Sequence, residues 1–228
     1  MQKMGTPVKI DGPPLTPEQI AAAIACGSHN SCNIYPSFLC TEMRDFVEKC
    51  FWIVLPFEDV VGLNCLRLSP AGLIPQRDRR NRIVIDYTWS GVNEATRHLS
   101  SDSMHFGHAL QRILQRMYNT DPRHGPIYMM KVDIADGFYR VGLAPEDVPS
   151  LGVCLPLGPD GKTLVTSPLF LPMGWVESPP QFCAVTETVA DLANTTLREK
   201  PSGCARRIDS TRYRNRTYLV LTALYQDT

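Results

Sequence analysis

A carboxylate follows directly on an apolar segment near the middle of the chain. Residues 127 to 132 are apolar except for Lys131, and Asp133 comes next, ahead of the small residues Ala135 and Gly137. A charge beside a buried strand is costly without a partner, and hard cations such as Mg²⁺ bind carboxylate oxygens together with water and phosphate. This pattern predicts a buried strand that ends at a cation-binding Asp133. The alternative is an ordinary turn at the end of a strand.

A second candidate segment, residues 171 to 182, has the sequence LPMGWVESPPQF. Gly174 has no side chain, so a planar ligand or another backbone can approach closely there. Ser178 and Pro179 are typical of a helix start, with Ser178 as the cap and Pro179 as the first helical residue. The apolar residues beyond them recur at helical spacing and predict a helix to about Leu197. Alternatively, the segment is simply a loop that leads into a helix.

Four arginines lie within the seven residues from 76 to 82 (QRDRRNR). They precede a β-branched run that predicts a strand over residues 82 to 87. Arginine binds phosphate through paired hydrogen bonds, so a hairpin that carries this run would suit a phosphate group. A solvated turn is the alternative, and it is common for runs of charge.

Helical and strand patterns along the chain predict an α+β fold, an antiparallel or mixed sheet with helices on one face. Prolines and glycines in residues 1 to 15 predict a loose lead-in, and a capping box at Thr16 begins a helix that ends at Gly27. Residues 153 to 157 and 164 to 171 flank a GPDG turn and predict a hairpin. The other expected elements are helices near residues 38 to 51 and 103 to 118, and strands at residues 65 to 68, 72 to 75, 82 to 87, 127 to 132 and 218 to 224.

Charge and hydrophobicity limit the possible functions. The 23 Lys and Arg residues balance 23 Asp and Glu residues, which excludes a uniformly basic coat for nucleic acid. Apolar runs fall short of the about 18 residues that a membrane span requires, so we expect no membrane contact. The N-terminus lacks a signal-peptide pattern, and we therefore expect reduced cysteines and an intracellular location, in the cytoplasm or the nucleus.

Four cysteines near the N-terminus raise the possibility of a metal site. They are Cys26, Cys32, Cys40 and Cys50, and His29 lies among them. Zinc sites usually take ligands from closely spaced Cys-x-x-Cys pairs, which these residues do not form. A small zinc-binding regulatory domain is one interpretation, and ordinary buried or surface thiols are the other.

Taken together and in this order, the segments resemble the reverse transcriptases of retroelements. Residues 82 to 87 look like a strand of the family's fingers, residues 132 to 138 like polymerase motif A, and residues 171 to 182 like motif B. The resemblance covers about residues 66 to 194. It implies a polymerase palm-like sheet with partial fingers, in four regions: an N-terminal extension with two helices (1–60), a fingers-like region (61–126), a palm-like region with motifs A and B (127–197), and a basic segment with a truncated final strand (198–228).

The resemblance also implies a catalytic site with two Mg²⁺ (or Mn²⁺) ions. Asp133 and the carbonyl of Ile134 would bind the ions, and Asp227 would match the first aspartate of motif C, Tyr-x-Asp-Asp. The reaction would be RNA-directed DNA synthesis, in which a primer 3′-hydroxyl attacks the α-phosphate of a deoxynucleotide on an RNA or DNA template.

Four further residues would bind the nucleotide if the resemblance holds. Arg82 would hold the triphosphate, and Phe138 would lie under the incoming sugar and exclude a ribose 2′-hydroxyl. Gly174 and Trp175 would face the nucleotide and the template.

The chain also departs from the family's pattern. Met173 stands where motif B usually has Gln, and Thr228 stands where motif C has its second aspartate. The second strand of the motif C hairpin and the thumb, connection, RNase H and integrase regions do not follow. We therefore expect a fragment of a retroelement polyprotein that is inactive alone. The alternative is a non-catalytic remnant that binds nucleic acid or a protein partner, with residues 77 to 82 and 198 to 216 as basic contacts.

We predict that this chain, purified alone, extends a primed RNA or DNA template at no detectable rate. Two-metal phosphoryl transfer needs ligands that hold both cations, and here Asp227 lies one residue from a free end, where chains commonly fray. The measurement is magnesium-dependent incorporation of labelled deoxynucleotide, beside an Asp133→Asn variant. Incorporation by the parent chain that the variant abolishes would overturn the prediction.

Overall fold

The computed structural model of the chain describes residues 5–78, 80–98, 109–121, 123, 134–157 and 161–199. These residues fall into two compact units. The first lies within Met1–Leu99 and Asp136–Phe182, and the second within Ser100–Ala135 and Cys183–Thr228. Asp133 and Asp227, with the predicted strands at residues 127 to 132 and 218 to 224, lie outside the described residues.

A five-stranded mixed sheet forms the centre of the first unit. Its spatial order is β1-β5-β4-β2-β3, and every neighbouring pair is antiparallel except the parallel pair β2–β4. This arrangement confirms the α+β class and a mixed sheet. The strands are β1 (Trp52–Pro56), β2 (Leu68–Ile74), β3 (Arg82–Ile85), β4 (Gly152–Cys154) and β5 (Leu164–Pro168).

Seven α-helices occur within the described residues. Two 3₁₀ helices, Gly137–Arg140 and Val148–Leu151, accompany them. No helix in the described ranges is both long enough and apolar enough to cross a membrane. The α-helices are α1 (Pro17–Cys26), α2 (Asn30–Ile34), α3 (Pro36–Glu48), α4 (Phe57–Val60), α5 (Val92–Ala95), α6 (Ala109–Tyr118) and α7 (Ser178–Glu199).

Local signals predicted several of these elements correctly. The Thr16 hydroxyl accepts a hydrogen bond from the Gln19 backbone amide, and the Gln19 side-chain oxygen accepts one from the Thr16 backbone amide. Gly27 ends α1 with a φ of 63°. The predicted hairpin is present as β4 and β5, and α7 continues for 22 residues. α2 was not predicted, because five residues are too few to show a helical period.

Two expectations for the polypeptide before β3 were wrong. The predicted strands at residues 65 to 68 and 72 to 75 are one strand, β2, which continues through Pro70. Pro70 lacks an amide hydrogen, but its carbonyl accepts from Asp86, and its neighbour in the parallel ladder is Cys154. The lead-in is not loose: Thr6 bridges to Leu143, and the amide of the buried Val8 donates to a carboxylate far along the chain.

Side chains from both faces of the sheet are buried, which corrects the prediction that helices cover one face. Successive residues on a strand point to opposite faces, and Val153 and Cys154 of β4 belong to two different core clusters. The cluster around Cys154 includes Ile20 of α1, whereas the cluster around Val153 includes Leu39 and Met43 of α3. The sheet is therefore the middle layer between α1 and α3.

Tyr87 joins the end of β3 to the second 3₁₀ helix. It is fully buried, and its hydroxyl donates to the Leu151 carbonyl at 3.1 Å. Burial, with a smaller contribution from Tyr139, raises the pKa of Tyr87 well above its ordinary value, so the phenol remains a hydrogen-bond donor across the physiological range.

We predict that Tyr87→Phe lowers the free energy of unfolding by about 1–2 kcal/mol, because it removes the donor to a buried carbonyl. Urea unfolding of the purified chain measures the change. The matched control is Tyr118→Phe, the same substitution at a side chain that is 90% exposed. Equal effects of the two substitutions would contradict the prediction.

Candidate functional site

The sequence-predicted site residues divide between the two units. Arg82, Phe138, Gly174 and Trp175 lie in the first unit, whereas Ile134 lies in the second and is 43% exposed. The two predicted carboxylates are outside the described residues, so the site can be built only from the segments that resemble fingers, the end of motif A, and motif B. After the motifs that they resemble, we call residues 132–138 the motif A segment, residues 136–140 the motif A turn or Phe138 turn, residues 171–182 the motif B segment, and residues 171–177 the motif B loop.

The end of the motif A segment packs against the first turns of α7. Phe138, in the 3₁₀ helix Gly137–Arg140, meets the Phe182 ring edge-on, with the ring centroids 5.4 Å apart. A Cβ on Gly137 would lie 2.9 Å from the Phe182 ring, so glycine permits this approach. Asp136, immediately before, has a left-handed φ of 54° and turns the chain into the contact.

The backbone joins the same two segments a second time. The Leu143 amide donates to the Leu169 carbonyl at 2.9 Å, and the Leu171 amide donates to the Val141 carbonyl at 3.0 Å. The chain that leaves the motif A segment therefore lies antiparallel to the chain that enters the motif B segment.

Gly174 brings the motif B loop against the end of β3. It has a φ of 103°, and a Cβ there would lie 2.4 Å from the Ile85 carbonyl oxygen. Asn93 holds the loop from the other side: its side-chain amide donates to the Gly174 carbonyl at 3.1 Å, and its side-chain oxygen accepts from the Val176 amide at 3.0 Å. The sequence did not indicate Asn93, since nothing in its local pattern marks contacts with residues 81 and 83 positions away.

Trp175 is placed differently from its predicted role beside the nucleotide and template. Its side chain is in the core, with 2% exposed, and its indole nitrogen donates to the Thr96 hydroxyl at 3.1 Å. Thr96 in turn donates to the Val92 carbonyl at 2.7 Å. A large apolar ring with its one polar atom satisfied is stable in such a site. Here the indole anchors the loop and offers no open face for stacking.

Ser178 does not cap α7 as predicted, because α7 begins at Ser178 itself. Its buried hydroxyl donates to the Pro172 carbonyl at 2.6 Å and holds the loop closed. The preceding Glu177 is also buried, and the ring Nδ1 of His98 lies 2.9 Å from its carboxylate. A negative charge at this end of a helix is favourable, because the helix dipole is positive there.

The arginine run, residues 76 to 82, does connect two antiparallel strands, β2 and β3; we call it the arginine hairpin. Arg82 is half-buried at the start of β3, opposite Ile74. Arg77 is exposed, and Arg80 forms an ion pair with Glu42 of α3. The hairpin is confirmed, and phosphate binding by it stays a prediction.

β3 connects the arginine hairpin to the motif B loop. Arg82 begins the strand and Ile85 ends it against Gly174. Three residues of strand correspond to about 10 Å, which is the scale of a nucleoside triphosphate. The motif B segment thus contacts both β3 and the motif A turn within the first unit.

The cysteine segment shows ordinary thiols. Cys26, Cys40 and Cys50 are exposed, whereas Cys32 is buried and its sulfur donates to the Ala71 carbonyl. Burial raises the pKa of Cys32 to about 11, so the thiol without a metal ion is protonated at neutral pH. Within the part of the chain that the structure describes, no three His, Cys, Asp or Glu side chains are grouped to hold a metal ion.

We predict that Gly174→Ala lowers the free energy of unfolding by about 3 kcal/mol, because the new Cβ meets the Ile85 carbonyl and the backbone is strained at positive φ. Urea unfolding is the measurement. Gly12→Ala separates the two causes, since Gly12 has a φ of 97° but nothing within 4 Å of the added Cβ. The control should cost about 1 kcal/mol, and a similar loss in both variants would argue against the close approach.

Comparison of the chain with protein-family models and with curated proteins finds no match. The residue pattern and the contacts of the motif B segment with β3 and with the motif A turn are therefore what point to a function.

Proposed function

We propose that the chain is the fingers and palm part of a retroelement reverse transcriptase, a family that carries out RNA-directed DNA synthesis by two-metal nucleotidyl transfer. The observation that supports it most is that the motif B segment contacts both of the other segments chosen from sequence. Gly137 and Phe138 pack on Phe182, and Gly174 packs on the end of β3. A chance likeness of short motifs would not require these segments to meet.

In this proposal, Asp133, the Ile134 carbonyl and Asp227 hold the Mg²⁺ ions. The described neighbour, Ile134, is exposed, and a hard cation that keeps water ligands needs such an open position. When bound, the ions would stabilise charge that develops on the phosphate oxygens.

Phe138 is the proposed sugar-selecting residue. It is half-buried, and Phe182 contacts it edge-on, so its ring has a defined orientation. A ring fixed below the sugar would leave no room for a ribose 2′-hydroxyl. Gly174, whose backbone is exposed, remains a proposed nucleotide contact, whereas the buried Trp175 side chain acts as an anchor.

A non-catalytic nucleic-acid-binding remnant is the second candidate. The arginine hairpin favours it, because Arg77 is exposed and guanidinium groups bind any phosphate backbone. Such binding would depend on salt and would not depend on Asp133.

The deciding experiment is calorimetric titration of the chain with a deoxynucleoside triphosphate, with and without Mg²⁺. We predict that Mg²⁺ strengthens binding, that Asp133→Asn abolishes this gain, and that Arg82→Ala weakens binding at least about tenfold, as expected for a lost charge-assisted contact. Asp59→Asn, the same change at an exposed carboxylate on α4, should leave binding unchanged.

The two candidate functions give different results in this titration. Binding that is sensitive to salt but equal in the parent and Asp133→Asn would reject the polymerase proposal in favour of the remnant. An Arg82→Ala variant that binds like the parent would remove the assigned triphosphate contact.

A further inference from the structure

Glu42 is an acidic residue on the core-facing side of α3. The residue is 7% exposed, and Leu39 and Met43, beside it on the same face, belong to the main core cluster. An apolar side chain would fill this position without desolvating a charge, whereas a buried carboxylate is costly unless it is paired. Core packing alone therefore does not explain a glutamate here.

The partner of Glu42 comes from the arginine hairpin. Arg80 forms an ion pair with the Glu42 carboxylate, and its own side chain is 62% exposed. The pair joins a buried position on a rigid helix to an exposed loop. This charge contact ties the loop to α3, because moving Arg80 away would leave the buried carboxylate, whose Oε1 has no hydrogen-bond partner among the described residues, without a compensating charge.

α3 also supports the turn that carries Phe138. The Phe46 ring of α3 packs on Tyr139 with the centroids 5.5 Å apart, and Tyr139 directly follows Phe138. Burial raises the pKa of Tyr139 and the hydrogen bond from the Trp52 indole lowers it, whereas Asp136 and Glu42 raise it by smaller amounts. The helix is a common support for the arginine hairpin and the Phe138 turn.

We propose that Glu42 is a positioning residue: by holding Arg80, it sets the arginine hairpin at a fixed place relative to the Phe138 turn, so that the hairpin can bind the triphosphate of a nucleotide. This inference rests on the proposed function. Paired hydrogen bonds from arginine to phosphate depend on geometry, and a hairpin held in place loses less conformational freedom on binding.

The test is binding of inorganic tripolyphosphate to Glu42→Gln, Arg80→Gln and the double variant, measured by calorimetry. Glu42→Gln makes the protein more positive, so general electrostatics would tighten anion binding. Positioning has the opposite consequence: we expect Glu42→Gln to bind about tenfold more weakly than the parent. Because Glu42 acts through Arg80, the double variant should match Arg80→Gln to within about twofold.

The inference would be overturned if Glu42→Gln bound tripolyphosphate as tightly as the parent or more tightly. It would also be overturned if the loss of affinity in the double variant were the product of the losses in the two single variants. Asp45→Asn is the matched control, since Asp45 is on the same helix but pairs with Lys49 and should leave tripolyphosphate binding unchanged. Hydrogen exchange of Glu42→Gln adds a second readout. We expect faster exchange than in the parent only at amides of the arginine hairpin. An equal loss of protection in α3 would mean that Glu42 has a structural role only.

If Glu42→Gln does not fold, the double variant decides the question, because it removes the buried charge together with its partner. If the double variant binds tripolyphosphate as Arg80→Gln does, the inference is supported. If the double variant binds it more weakly than Arg80→Gln, the inference is overturned. Failure of this inference is distinguishable from failure of the proposed function. If Arg82→Ala weakens deoxynucleotide binding but Glu42→Gln binds tripolyphosphate like the parent, only the role of Glu42 is rejected.

Discussion

The close approach of Gly174 to the Ile85 carbonyl is the constraint on which the candidate site depends. Only a residue without a Cβ fits at this point, and its positive φ turns the loop so that Trp175 enters the core. The Asn93 side chain then forms hydrogen bonds with the Gly174 carbonyl and the Val176 amide, the backbone groups before and after Trp175. With the loop fixed, α7 begins at Ser178 in a position where Phe182 can meet the motif A turn.

Trp175, which the sequence indicated as a nucleotide contact, and Ser178, which it indicated as a helix cap, both stabilise the loop. Trp175 and Ser178 are both buried, and each directs its polar atom to a group within the first unit. A motif can therefore be distinctive because it builds a loop, and Gly174, which is exposed, remains only a proposed ligand contact. The proposed nucleotide site is a surface supported by these buried groups.

α3 links the core to the arginine hairpin. Its apolar face packs in the core, and its single buried carboxylate pairs with the arginine hairpin. The spacing pattern of α3 contained a signal for this role, because Glu42 lies three residues after Leu39 and four before Phe46, on the apolar face. A charge at such a position needs a partner, but the sequence does not say which of the many basic residues supplies it.

The sequence alone determined the α+β class, the capping box of α1, the hairpin of β4 and β5, the arginine hairpin and the long helix α7. Each depends on residues within a few positions of one another. Only the tertiary structure decided that α1 and α3 lie on opposite faces, that β2 continues through Pro70, and that Trp175 is buried. These outcomes depend on contacts between residues far apart in the chain, as are Val8 and Asp147, which lie 139 positions apart. Local sequence patterns do not indicate such distant partners.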